Sequence, residues 1–136
     1  MNFEVGQAID IEFAFSDADQ RRFSEISSDY NRLHLDAEFA RKKGFQHQVV
    51  YGGLIIAKVS QAVGMHFPGD QGIWTSVKMT FRNPLYVDEV ALLHAEISHL
   101  TPSLGSLILD IKVHSARDVI CTGTATALTF GATPHV

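Results

Sequence analysis

The sequence has little cysteine and no excess of positive charge. Its single cysteine, Cys121, cannot form an internal disulfide, and no Cys and His spacing is typical of a metal site. Eleven lysines and arginines against fifteen aspartates and glutamates give a net charge of −4. No global basic field therefore exists to hold a nucleic-acid backbone. These absences argue against a disulfide-stabilised protein, a metal site and nucleic-acid binding, and they favour a reducing compartment.

The sequence also lacks a long hydrophobic run. Its most apolar stretch, residues 54–63, is interrupted by polar residues and is shorter than the about 20 residues that a membrane span needs. Residues 1–15 lack the basic start, apolar middle and small-residue cleavage site of a signal peptide. We therefore expect no membrane association and a cytoplasmic location.

What is present is the composition of one folded domain. The chain has 136 residues, of which 46% are hydrophobic and 19% are charged, which is enough apolar material for one core. No internal repeat, low-complexity tract or linker-like run divides it. The sequence predicts a single domain that spans residues 1–136.

Hydrophobic periodicity predicts an α+β protein. In the first half we expect a strand over 9–15, a helix from about Ser16 to Ser28, an irregular segment over 29–36, and a short helix capped by Asp36 and ended by Gly44. Residues 52–66 are apolar around most of the circumference of a helix, which predicts burial on several sides. Alternating residues then predict four antiparallel strands over 73–81, 90–99, 106–114 and 119–130.

The strongest candidate for chemistry is Asp29 together with His34. A carboxylate and an imidazole five positions apart, just ahead of a capped helix, are a pair that can hold and activate a water molecule. The spacing alone is weak. In the alternative interpretation Asp29 caps a turn and His34 is an ordinary loop histidine.

The surrounding sequence resembles a known family. Residues 27–36 read SSDYNRLHLD, an F-A step follows, and VVYGGL begins the apolar helix. This is similar to the MaoC-like family of (R)-specific enoyl-CoA hydratases and 3-hydroxyacyl thioester dehydratases, whose pattern looks like S-x-D-x-N-P-x-H-x-D, F-A and V-H-G. The resemblance continues through Ser60 and residues 77–90. It implies a hotdog fold, in which a curved antiparallel sheet wraps around one central helix.

The resemblance implies a cofactor-free hydro-lyase that adds water to trans-2-enoyl thioesters to give the (R)-3-hydroxyacyl form, or runs the reverse dehydration. Asp29 and His34 would share the catalytic water. The backbone N–H of Gly52, at the N-terminus of the central helix, would polarise the thioester carbonyl. Ser60 would orient Asp29. In the alternative interpretations Gly52 is a turn glycine and Ser60 bonds back to a helix carbonyl.

Substrate contacts are implied for Asn31, Tyr51 and Gly53. Two positions depart from the family pattern, because Tyr51 stands where the family usually has histidine and Arg32 where it usually has proline. The proline would fix a backbone angle in the loop that directs His34, and arginine does not. These departures leave room for a changed substrate or a lost activity.

A basic run, Arg41, Lys42 and Lys43, is a candidate for binding the phosphates of coenzyme A or an acidic acyl carrier protein. Cations at the end of a short helix also suit the helix dipole without any ligand. The resemblance further implies a homodimer.

Two alternative functions stay open at this stage. One is an acyl-CoA thioesterase on the same fold, which would place a carboxylate on or near the central helix, whereas no Asp or Glu lies between Gly52 and His66. The other is an acyl-thioester-binding or partner hotdog protein without hydratase activity.

Overall fold

The chain folds as an antiparallel sheet with one long helix packed on it, the α+β architecture that the sequence predicts. The computed structural model describes residues 2–131. Its helices and strands are β1 (Ala8–Phe13), α1 (Asp17–Ser27), α2 (Arg32–Leu35), α3 (Ala37–Lys42), α4 (Gly52–Met65), β2 (Gly72–Phe81), β3 (Ala91–Thr101), β4 (Ser106–Ser115) and β5 (Val119–Thr129). The strand order is β1-β3-β4-β5-β2, and every neighbouring pair is antiparallel, so β1 and β2 form the two edges.

The core lies on one face of the sheet. Strands β3 and β4 occupy its middle, and alternate residues point into the core, as period-2 hydrophobicity requires. Leu93, Leu109 and Val113 are completely buried there. Cys121 on β5 is buried as well, and this burial raises the pKa of its thiol to about 11.

Helix α4 packs against β1, β2, β3 and β5 with one face. Ile55, Val59, Ala62 and Val63 form that buried face, at the spacing of an amphipathic helix. The prediction of burial on several sides is wrong for a single chain, because the sheet covers only one side of the helix and Ser60 lies on the exposed side. Within the described residues no helix is long and apolar enough to cross a membrane.

The segment between α1 and α4 is more regular than predicted. Residues 32–35 form α2, so the expectation of an irregular segment over 29–36 is wrong there. Asn31 caps this helix, because its side-chain oxygen accepts the N–H of Leu33 at 3.0 Å. The predicted Asp36 cap is confirmed, since the Asp36 carboxylate accepts the N–H of Phe39 at 3.1 Å. Two short helices therefore turn the chain toward the start of α4.

Candidate active site

A cleft lies where the N-terminus of α4 meets the end of β2. Its volume is about 350 Å³, and its wall is largely apolar, including His34, Phe45, Gly52, Ile55, Phe81 and Leu85. A second cleft of about 240 Å³ lies at the opposite end of the sheet, around Leu100 and Thr129. That second cleft has no acidic or basic side chain in its wall. Two further clefts, around His114 and around His47, also have imidazole and carboxylate groups in their walls, but neither includes the N-terminus of α4. The cleft at α4 is the one that combines an imidazole with a helix N-terminus among the clefts of the described residues.

His34 supplies the imidazole of this cleft, and Arg82 also lies in the wall. Its Nδ1 lies 2.6 Å from the carbonyl oxygen of Val49, and because a carbonyl only accepts, Nδ1 carries the hydrogen. The lone pair of the neutral ring then sits on Nε2, which makes that nitrogen the basic one. The ring also stacks on Tyr51, with 4.0 Å between the two centroids. These two contacts fix both the tautomer and the plane of the imidazole.

Two glutamines hold the backbone of His34, and neither was predicted from the sequence. The Gln20 amide nitrogen donates to the carbonyls of His34 and Val49 at 2.9 Å each, and its oxygen accepts the N–H of Tyr51 at 3.1 Å. The Gln48 amide nitrogen donates to the same His34 carbonyl at 3.0 Å. Both glutamines are buried. Gln20 lies on the buried side of α1. A glutamine at a buried helix position needs hydrogen-bond partners, so this residue was the signal in the sequence that could have indicated a supporting role.

Asp29 lies at the hydroxyl end of Tyr51, whereas the imidazole of His34 stacks on the ring. Its carboxylate is exposed and accepts the N–H of Asn31 at 3.0 Å, while its backbone carbonyl accepts the Tyr51 hydroxyl at 2.6 Å. No hydrogen bond joins the Asp29 carboxylate to His34 in the described part of the chain. The structure thus brings both predicted residues into contact with one tyrosine.

Gly52 is the first residue of α4, and its amide N–H donates to no other atom within residues 2–131. Such an amide at the start of a long helix favours negative charge. A Cβ at Gly52 would lie 2.9 Å from the ring of Phe81, so only glycine lets the two approach this closely. At Gly53 a Cβ would lie 2.3 Å from the ring of Phe23, so that glycine is explained by packing. Its substrate contact stays a prediction.

The other predicted site residues have different surroundings from those expected. Asn31 serves as the cap of α2. Tyr51 is only 2% exposed and lies outside the wall of the cleft. Ser60 is exposed, and its hydroxyl forms no hydrogen bond to Asp29 or to any other residue that the structure describes. Their catalytic and substrate-binding roles therefore stay predictions.

The basic run lies on the surface at the end of α3. Arg41, Lys42 and Lys43 are exposed, and Lys42 lies 3.7 Å from the Glu38 carboxylate, a surface pair that contributes little. The ammonium group of Lys43 lies 5.3 Å from the ring centroid of Phe39. Among residues 2–131, no group of three His, Cys, Asp or Glu side chains is arranged to hold a metal ion.

The comparisons with known proteins decide the family. A family model described as a MaoC like domain matches residues 2–102. The chain belongs to the MaoC-like family. A mitochondrial 3-hydroxyacyl-[acyl-carrier-protein] dehydratase from Arabidopsis thaliana is 30% identical over 129 residues, which cover 92% of this chain and 76% of that protein. An (R)-specific enoyl-CoA hydratase from Aeromonas caviae is 30% identical over 99 residues, 73% of this chain and 74% of that protein.

A solved structure agrees with this assignment. The (R)-hydratase from A. caviae superimposes with a TM-score of 0.90 and 26% identity, covering 94% of this MaoC-like chain and 98% of that one. The predicted family and hotdog fold are therefore confirmed. At the level of the family, the curated relatives are named hydratases and dehydratases, which are hydro-lyases.

Proposed function

We propose that this MaoC-like protein catalyses the (R)-specific hydration of trans-2-enoyl thioesters, or the reverse dehydration of (R)-3-hydroxyacyl thioesters. One observation carries the proposal. The His34 ring lines an apolar cleft with Nδ1 committed to the Val49 carbonyl, which leaves Nε2 as a base, and Gly52, whose amide has no partner among residues 2–131, lies in the wall of the same cleft.

In the proposed reaction a water molecule held by His34 and Asp29 attacks C3 of the enoyl group. His34 Nε2 accepts a proton from the water as the C–O bond forms, and the electron pair of the double bond moves toward the thioester oxygen. The Gly52 N–H stabilises the charge on that oxygen. The protonated imidazole then delivers this proton to C2, which completes the addition and returns His34 to its neutral form, and the reverse sequence eliminates water.

The surface around the cleft suggests how the substrate is held. The apolar wall suits an acyl chain, and the exposed run of Arg41, Lys42 and Lys43 would bind the phosphates of coenzyme A or an acidic acyl carrier protein. The relatives include enzymes named for each carrier, so the proposal covers both. A cytoplasmic location stays a prediction, since one relative is named as mitochondrial.

The proposal includes a homodimer formed through the edge strand β2. This strand pairs with β5 along one edge and with no described strand along the other, and three of its apolar side chains are exposed, namely Ile73 at 57%, Val77 at 39% and Phe81 at 48%. An exposed apolar edge is a template for pairing with a second chain. Sedimentation should give twice the chain mass, and a charged substitution, Val77→Lys, should shift the protein toward the monomer. A monomer at working concentration would contradict this part of the proposal.

The test of the activity is the absorbance of the conjugated enoyl thioester during incubation with crotonyl-CoA and with a longer 2-enoyl-CoA. We expect the band to disappear with the wild type and the rate to fall at least about 100-fold in Asp29→Asn and in His34→Ala. Asp110→Asn and His99→Ala change exposed residues outside the cleft and serve as matched controls.

Three results would contradict the proposal. Activity retained in both site variants would remove the acid and base roles. Release of free thiol without loss of the enoyl band would indicate a thioesterase. Tight acyl-CoA binding without turnover would indicate a binding or partner protein.

A further inference from the structure

Tyr51 lies between the two residues to which the proposed function assigns proton transfer. One face of its ring stacks on His34 with the centroids 4.0 Å apart, and Phe23 packs against it with the centroids 4.6 Å apart. Its hydroxyl donates to the backbone carbonyl of Asp29 at 2.6 Å. A buried ring fixed on two sides holds that hydroxyl in one place.

The Asp29 segment has few other attachments. Residues 28–31 are exposed, and apart from the Tyr51 contact their hydrogen bonds reach only positions within three residues along the chain. Ser28 ends α1 with a φ of 60°, outside the helical region. In the described part of the chain the Tyr51 hydroxyl therefore makes the single hydrogen bond that joins this segment to a distant element.

The two positions that differ from the family pattern, Arg32 and Tyr51, both affect the loop between Asp29 and His34. Arg32 is the first residue of α2, where proline would fix φ in advance, and its guanidinium instead lies 4.2 Å from the ring centroid of Phe39. Without that proline, the loop between Asp29 and His34 depends more on contacts from outside. The Tyr51 hydroxyl supplies such a contact.

We propose that Tyr51 is a positioning residue, whose hydroxyl tethers Asp29 while its ring supports the imidazole of His34, so that the two groups are held in register for the reaction. This inference rests on the proposed function. It replaces the predicted substrate contact of Tyr51 by a role exerted through its two neighbours. Burial, followed by the negative charge of Asp29, raises the pKa of the Tyr51 hydroxyl, so the hydroxyl stays protonated and remains a donor.

The variant that tests the tether is Tyr51→Phe, which keeps the ring and removes the hydroxyl. We expect kcat for crotonyl-CoA hydration to fall about tenfold, with KM within about twofold of the wild type, because alignment is lost and binding is kept. Tyr86→Phe is the matched control, since it removes a hydroxyl that accepts a backbone N–H from Gln46 at 3.2 Å. That control should melt at a similar temperature to Tyr51→Phe and keep the wild-type kcat.

A second variant separates positioning from general weakening of the fold. Asn31 has φ −58° and ψ 123°, which are angles allowed before a proline, and the N–H of Arg32 donates to no described residue. Arg32→Pro should therefore fit the loop. In the double variant with Tyr51→Phe, we expect kcat to recover to within about threefold of the wild type, since proline restores the constraint that the hydroxyl supplied.

A measurement without substrate keeps the tether testable apart from the activity. Backbone 15N order parameters of Asp29, Tyr30 and Asn31 should fall in Tyr51→Phe and stay unchanged in Tyr86→Phe. If the wild type hydrates no enoyl thioester, the proposed function fails and these order parameters alone decide the tether.

The inference is overturned by any of four results. The first two are unchanged order parameters in Tyr51→Phe, and a wild-type kcat in Tyr51→Phe when the wild type is active. The other two are a loss of kcat that Tyr86→Phe shares, and a loss of kcat that Arg32→Pro does not restore.

Discussion

The middle of the sheet is held by different interactions from residues 28–51, which connect α1 to α4, include the short helices α2 and α3, and are called the loop segment below. In β3 and β4, side chains such as Leu93 and Leu109 are completely buried against other apolar groups, and no single contact has a required direction. In the loop segment, His34 is fixed by directed hydrogen bonds from Gln20 and Gln48. The sheet core therefore contributes to stability without aligning His34, whereas the hydrogen bonds of the loop segment contribute to both.

The largest effect on stability is expected in the sheet. Leu109→Ala opens a cavity at a completely buried position, and we expect the free energy of unfolding to fall by about 3 kcal/mol. The kcat of the folded fraction should stay within about twofold of the wild type, because the cavity lies outside the cleft. Urea denaturation and turnover well below the melting temperature measure the two quantities.

The control for this variant is Leu104→Ala, since Leu104 is 72% exposed. A large fall of kcat in folded Leu109→Ala would show that the sheet core and the loop segment are coupled, and the comparison would then break down.

The second prediction concerns Gln20. Gln20→Met keeps the length of the side chain and removes three hydrogen bonds, to the carbonyls of His34 and Val49 and the N–H of Tyr51. We expect a loss of about 2 kcal/mol in stability and, unlike in Leu109→Ala, a fall of about tenfold in kcat. Denaturation and steady-state kinetics on the same preparation test whether the two losses occur together.

Gln46→Met is the matched control, because the side chain of Gln46 is exposed and lies outside the cleft. Wild-type kcat in Gln20→Met would mean that His34 keeps its place without the glutamine.

The smallest effect is expected on the outer face of the sheet. His94 Nδ1 lies 2.7 Å from the Asp10 carboxylate, and this hydrogen bond, with help from Glu96, raises the pKa of His94 above its ordinary value of 6.5. The protonated pair stabilises the fold below pH 6.5, and this contribution is lost as pH rises through the folded-state pKa. Because the side chains are 42% and 56% exposed, solvent screening limits it to less than about 0.5 kcal/mol.

The test is to measure the free energy of unfolding of the wild type and of His94→Gln from about pH 5 to 9, which roughly spans the titration range of histidine. The two proteins should differ only at the acidic end of this range. A difference in unfolding free energy that grows toward alkaline pH would contradict the upward shift of the His94 pKa.

The fold was largely predictable from the sequence, because strands with one buried face show alternating apolar and polar residues. The strands around Leu93, Leu109 and Ala125 follow from that period, and the Asp36 cap follows from local hydrogen bonding. The exposed side of α4 was not predictable in this way. A helix that is apolar all round does not tell which of its sides the sheet of the same chain covers.

The candidate site was predictable only in part. The motif around Asp29, His34 and Gly52 indicated the family, and His34 and Gly52 do lie in the wall of one cleft. The partners of the supporting residues could not be predicted because the contacts are long-range: Gln20 and Val49 are 29 positions apart, and Tyr51 and Asp29 are 22 apart. Neither spacing forms a local pattern, so only the folded chain brings these groups together.

The buried thiol of Cys121 allows the unfolding of the protein to be followed by chemical modification. A thiol with a pKa of about 11 and no exposed surface is protonated and shielded near neutral pH, so an alkylating reagent reaches it only when β5 opens. The rate of modification then counts opening events in the centre of the fold. Since the chain has one cysteine, each labelled molecule records a single such event, without any engineered probe.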